Sequence, residues 1–209
     1  MKHFSLLVAM LLTAFATQAS ALWMRYPAIS PDGQKVAFTY KGSIYVVPSA
    51  GGEAVRLTST DNHDSQPIWS PDSKTIAYAS NRYGNFDIFT VPAAGGASKR
   101  VTTHSAKEEP YAFSNDGKKI YYGATIADPA SNVLFPKSYM GELYAVNVDG
   151  GRPERVLATP AQAINFSRDG KQFLYQDRKG GEDDFRKHHT SSITRDIWLY
   201  DSASGKHTQ

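Results

Sequence analysis

The 209-residue chain contains no cysteine. That excludes a disulfide framework, a thiolate nucleophile and cysteine-ligated zinc. Charge of one sign is also lacking. There are 23 basic and 20 acidic residues, a net charge of +3. An excess this mild does not mark a nucleic-acid binder or a protein held on an anionic membrane surface. Apart from the N-terminus, no apolar run is long enough to cross a bilayer as a helix. No window keeps apolar residues at the i, i+3, i+4 spacing of an amphipathic helix.

The N-terminus is the exception. Lys2 and His3 precede a nearly continuous apolar run from Phe4 to Phe15, and Ala19-Ser20-Ala21 supplies a small-x-small cleavage site. The run is short for a membrane span, and its flanks fit a secretory signal peptide over residues 1–21. No cysteine follows it to carry a lipid anchor. The expectation is an exported protein, periplasmic or secreted. Removal of the leader takes Lys2 with it and lowers the net charge by one.

What the sequence does have is a repeat. YPAISPDGQKVAFTY, QPIWSPDSKTIAYAS, PYAFSNDGKKIYYGA and AINFSRDGKQFLYQD are four copies of one unit. Each is followed by a second apolar run (SIYVVP, DIFTVP, ELYAVNV, DIWLYD) and then a small-residue turn. Asp32, Asp72, Asp116 and Asp169 anchor the copies at spacings of 40, 44 and 53 residues. A period near 40 with four short strands per unit is that of a β-propeller blade. The expected fold is therefore all-β: an incomplete β-propeller of four four-stranded blades, at about 26–60, 66–105, 110–160 and 163–209, the last cut short.

The third strand of each unit carries two adjacent apolar columns: Ile44, Ile88, Leu143, Ile197, and Tyr45, Phe89, Tyr144, Trp198. Neighbouring positions on a strand face opposite ways, so both faces must be covered, as in a blade between two others. Ile29, Trp69, Phe113 and Phe166 occupy one position of the innermost strand. The fourth strand is read at Arg56-Leu57-Thr58, Arg100-Val101-Thr102 and Arg155-Val156-Leu157, with its arginines on the solvated outer rim. An open arc exposes the outer faces of its end blades, and such surfaces invite self-association.

The repeated aspartates sit in Ser-Pro-Asp-Gly-type turns. Proline presets φ, aspartate bonds nearby amides and glycine accepts positive φ. Turn chemistry accounts for them better than calcium binding does. Two insertions break the period, Ile126–Gly141 and Asp177–Arg195. Both lie between the second and third strands, so both emerge on one face of the disc, where repeat scaffolds usually bind. The second holds Glu182, Asp183, Asp184, His188 and His189, without the spacing of a metal site. Ser191, His188 and Asp196 make a triad only on paper, because no Gly-x-Ser-x-Gly elbow is present. The Asn81–Asp87 loop reads as turn chemistry, with Tyr83 and Phe86 as packing or rim residues. No catalytic, cofactor-binding or metal residue is assigned, and no cofactor is expected.

LWMRYPAISPDG after the leader, SNRYGNFDIF, and RKHHTSSITRDIWLYDSASGKHT resemble the N-terminal propeller of secreted bacterial tricorn-like serine peptidases. The resemblance spans essentially the whole chain after residue 21. It implies a parent ring of about six blades, followed by a PDZ-like module and a serine-peptidase region that holds the catalytic residues. It also implies a role in gating or channelling peptides or unfolded polypeptides toward that region. A homo-oligomer of the full-length protein is a further implication; nucleic acid and, after leader removal, membrane are not partners. The Ser-Pro-Asp-Gly repeat is shared more widely. It also resembles TolB-type periplasmic binding scaffolds and the propellers of prolyl-oligopeptidase-like enzymes, and both remain as alternatives.

Overall fold

The computed structural model describes residues 23–59, 61–126, 141–178 and 195–209. These hold sixteen strands and no helix. Blade 1 is β1 (Arg25–Ile29), β2 (Lys35–Tyr40), β3 (Ser43–Pro48) and β4 (Val55–Arg56). Blade 2 is β5 (Asp64–Trp69), β6 (Thr75–Ser80), β7 (Asp87–Pro92) and β8 (Lys99–Arg100). Blade 3 is β9 (Glu108–Phe113), β10 (Lys119–Ala124), β11 (Glu142–Asn147) and β12 (Glu154–Leu157). Blade 4 is β13 (Ala161–Phe166), β14 (Gln172–Asp177), β15 (Ile197–Asp201) and β16 (Lys206–Thr208). Every blade is an antiparallel meander in chain order.

Contacts between the innermost strands join β1 to β5, β5 to β9 and β9 to β13. Among the described residues no contact of comparable extent joins blade 4 back to blade 1. The four blades therefore form an open arc, and each of the three seams has its own core. Ile44 and Trp69 meet in the first, Ile88 and Phe113 in the second, and Leu143 and Phe173 in the third. Fully burying an aliphatic side chain of this size stabilises by about 1.5–3 kcal/mol. Polar clips cross the seams as well. Trp69 Nε1 donates to Ala28 O at 2.9 Å, and Asn115 Nδ2 to Ser167 O and Arg168 O at 3.0 and 2.9 Å.

The fourth strands begin as expected but stop early in blades 1 and 2. The cause is a side chain. Thr58 Oγ1 accepts the Ile44 N–H at 3.0 Å, and Thr102 Oγ1 accepts the Ile88 N–H at 2.8 Å, each replacing a ladder carbonyl. Blade 3 has Leu157 there instead, and β12 continues to that residue. The rim arginines also divide. Arg56 and Arg155 are exposed. Arg100 is half-buried, with its guanidinium 2.7 Å from the buried Asp87 carboxylate and stacked 4.4 Å from the Tyr83 ring.

One regularity is absent from the sequence reading. Every innermost strand carries an extra residue at the same place, a bulge against its second strand. Tyr26, Gln66 and Ala163 take positive φ there, at 52°, 55° and 51°. Pro110 holds the matching position in blade 3, and its ring fixes φ negative. In that blade Tyr111 is the unpaired residue.

Candidate functional site

The two faces of the arc differ in chemistry. On one, the four aspartate turns are closed structures. Asp32, Asp72, Asp116 and Asp169 each accept the hydroxyl of the serine two residues before, at 2.5–2.7 Å. Each also accepts the backbone N–H two residues on, at 3.0–3.2 Å. The serine bond, then the amide bond, holds all four carboxyls below the usual aspartate range. Both bonds fall on Oδ1 and tie each carboxyl into its own turn, in keeping with the turn role.

The opposite face is formed by the links between second and third strands and by the entries to the innermost strands. Between blades 1 and 2 it holds a recess of about 580 Å³. Its lining includes Trp23, Arg25, Tyr26, Tyr40, Lys41 and His63. Three of these are basic side chains and three are aromatic, and no carboxylate lines it. The Arg25 guanidinium lies 5.7 Å from the Trp23 ring, and Lys41 Nζ 5.4 Å from the Tyr40 ring. Cations held over aromatic faces keep their charge available to an incoming anion while the rings offer apolar contact.

Local geometry positions these groups. Lys41 takes φ 48° in the tight β2–β3 turn, followed by Gly42 at φ 74°. Glycine supplies the left-handed backbone of that turn, while a Cβ on it would make only ordinary contact with His63 Nδ1 at 3.4 Å and Asn62 O at 3.5 Å. The Gly42 carbonyl then accepts the Asp64 N–H at 2.9 Å. Asn81 Oδ1 accepts the His63 N–H at 2.8 Å, which fixes the backbone under the imidazole.

A second recess, of about 430 Å³, lies on the same face between blades 3 and 4. Lys107, Glu109, Tyr111, Gln162 and Arg178 line it, so both signs of charge are present. Tyr111 is seated over Gly123. A Cβ on Gly123 would lie 2.1 Å from the Tyr111 hydroxyl oxygen, which only glycine avoids. Burial, then the Glu109 carboxylate, pushes the Tyr111 phenol well above its usual range.

The Asn81–Asp87 loop is a clamp. Asn85 Nδ2 donates to His104 O and Ala106 O at 2.7 and 3.0 Å. Tyr83 stacks on Phe89, and the Arg82 guanidinium lies 4.2 Å from the Phe89 ring. Among the described residues no three histidine, aspartate or glutamate side chains group to hold a metal. Glu182, Asp183, Asp184, His188, His189 and Ser191, and most of both insertions, lie outside the described residues. Asp196 lies inside; its backbone N–H donates to Asp177 Oδ1 at 2.7 Å.

Comparison with known proteins places this architecture. The chain matches the tricorn protease N-terminal beta propeller domain over residues 21–209. Among solved structures it resembles TolB from Acinetobacter baumannii, with 20% identity and a TM-score of 0.67, over 88% of this chain and 42% of that one. It resembles the tricorn protease with 13% identity and a TM-score of 0.62, over 88% of this chain and 22% of that one. A nidogen/laminin complex chain gives 14% identity and a TM-score of 0.62, over 92% of this chain and 64% of that one. Likenesses at these identities establish the propeller fold and nothing further. The chain spans less than half the length of the TolB and tricorn structures.

Proposed function

Because the chain belongs to the tricorn protease N-terminal beta propeller family, we propose that it is the substrate-handling front part of an exported tricorn-like serine peptidase. In this reading the arc belongs to a larger ring, and catalysis resides in a region that these residues do not include. The chain receives peptide segments on the face that carries the two recesses and guides them onward. The observation that carries the reading is the cationic and aromatic lining of the recess between blades 1 and 2. Arg25, Lys41 and His63 suit peptide carboxylates, from an acidic side chain or a C-terminus. Trp23, Tyr26 and Tyr40 suit the apolar remainder. The family match begins at residue 21, where the leader reading places its cleavage site, and this supports export.

The full-length protein tests the reading. Charge reversal at Lys41 and Arg25 is expected to raise KM for acidic peptides and leave kcat near its original value, since only binding remote from the chemistry is lost. Unchanged KM across acidic and basic peptides of several lengths contradicts it. The reading frame after Gln209 separates the alternatives. A peptidase region downstream fits the proposal, whereas a frame ending at ring closure fits a TolB-type binding scaffold.

A further inference from the structure

The three seams of the arc are built from equivalent positions, and the middle one lacks its partners. In blade 2, Asp64 is fully buried, with Arg82 Nη2 3.4 Å from Oδ1. Arg82 also donates to Ser80 Oγ and to the Tyr78 hydroxyl, both at 2.9 Å, and Tyr78 donates to Ser98 Oγ at 2.7 Å. Every position of this network recurs one blade later. Asp64 becomes Glu108 and Tyr78 becomes Tyr122, while Arg82, Ser80 and Ser98 become Ile126, Ala124 and Pro153. The acid and the phenol are kept, and all three of their polar supports are replaced by apolar residues.

The consequence is visible in the bonding. Glu108 is 0% exposed. Its Oε2 accepts the Thr102 hydroxyl, but its Oε1 has no partner, and neither does the buried Tyr122 hydroxyl. Native structures rarely leave such groups unpaired. Glu108 also belongs to the joint between blades. Its backbone N–H donates to Phe86 O of blade 2 at 2.9 Å. Thr102, which bonds its carboxyl, is the residue that accepts the Ile88 N–H. The third seam has Leu157 and Ala161 at the Thr102 and Glu108 positions, so it has no acid and no hydroxyl there.

We propose that the seam between blades 2 and 3 is a proton-sensitive joint, closed while Glu108 is protonated and loosened when it ionises. The charged and titratable groups facing Glu108 are Asp87 and Arg100 of blade 2 and Tyr122 of its own blade. Desolvation is the largest influence and Asp87 adds to it, while Thr102, the Ile88 N–H and Arg100 oppose it. Together they push Glu108 up to about 7. A raised carboxyl contributes stability that is whole below its unfolded value near 4.5 and is lost as pH rises through about 7. Arg100 is the weakest of the opposing influences: its Nη2 is engaged by Asp87 Oδ2 at 2.7 Å, and its buried Nε has no partner. Glu108 lies between Lys107 and Glu109, both of which line the recess between blades 3 and 4. Opening of the joint therefore reaches the substrate-handling face.

Amide hydrogen exchange on the chain from pH 5 to 8.5 tests the joint. The Ile88 and Glu108 amides are read against their counterparts in the first seam, Ile44 and Asp64. The ratio cancels the common pH dependence of exchange. Protection at the second seam is expected to fall relative to the first by on the order of a hundredfold, given the size of the shift. Glu108→Gln should hold the ratio flat. A second variant, Ile126→Arg with Ala124→Ser, restores two of the three supports of blade 2, the cation among them, and should also flatten it. A wild-type ratio constant across this range, or the same fall in Glu108→Gln, overturns the proposal.

Discussion

Blades 2 and 4 are written in the same repeat, yet their third strands lie in opposite environments. Ile88 is 0% exposed and Ile197, its counterpart, is 66% exposed. Each blade has a leading and a trailing face. The innermost-strand column packs backward: Trp69 against blade 1, Phe113 against blade 2, and Phe166 against Tyr121 of blade 3 at 4.8 Å. The Ile44, Ile88, Leu143 column packs forward, each into the seam with the next blade. Among the described residues Ile29 has no blade behind it and Ile197 none ahead, and both are exposed. In a quasi-one-dimensional repeat the apolar residue is thus placed by the unit that carries it and buried by the unit beside it.

The contrast can be broken most severely in the middle of the arc. Ile88→Ala is expected to cost about 2–5 kcal/mol, the range for deleting a buried aliphatic side chain. Ile197→Ala should stay within about 0.5 kcal/mol, as surface substitutions do. Urea midpoints of the two variants make the comparison. Gly123→Ala comes next. Its methyl collides with Tyr111, and overpacking of this kind costs about 1–3 kcal/mol. Removing Tyr111 together with Gly123→Ala should recover part of that loss. Trp69→Phe keeps the apolar packing but deletes the bond to Ala28 O, an expected loss of about 1 kcal/mol.

The smallest effects lie at the turns and the open ends. The four turn aspartates have folded pKa values below their ordinary range. Their contribution is present above the unfolded value near 3.8 and is lost as pH falls through the folded one. An acid titration of Asp72→Asn should therefore show a shallower loss below pH 4 than the original chain. At the open ends, Ile29→Thr with Ile197→Thr should leave the urea midpoint nearly unchanged and reduce self-association in sedimentation.

The sequence made the blades legible because the determinants are local and repeated four times. Turn aspartates recur, apolar columns alternate, and no helical period competes. What it hid depends on neighbours. The bulges at Tyr26, Gln66 and Ala163 have no residue signal, since three unlike side chains share one positive φ. The fourth strands of blades 1 and 2 ended early because a threonine hydroxyl took a ladder bond. The recess between blades 1 and 2 joins Arg25, Lys41 and His63 across two repeats, so no single motif shows it. The missing network around Glu108 becomes visible in sequence only after the blades are aligned strand by strand.

The most direct test of the functional reading is a calorimetric titration of the chain with two short peptides of equal length and aromatic content, one acidic and one basic. The acidic peptide is expected to bind, with an affinity that falls as salt rises and collapses in Lys41→Glu, while the basic peptide does not bind. Equal affinity for both peptides, or binding of the acidic one untouched by Lys41→Glu, would contradict the assignment of this face to peptide carboxylates.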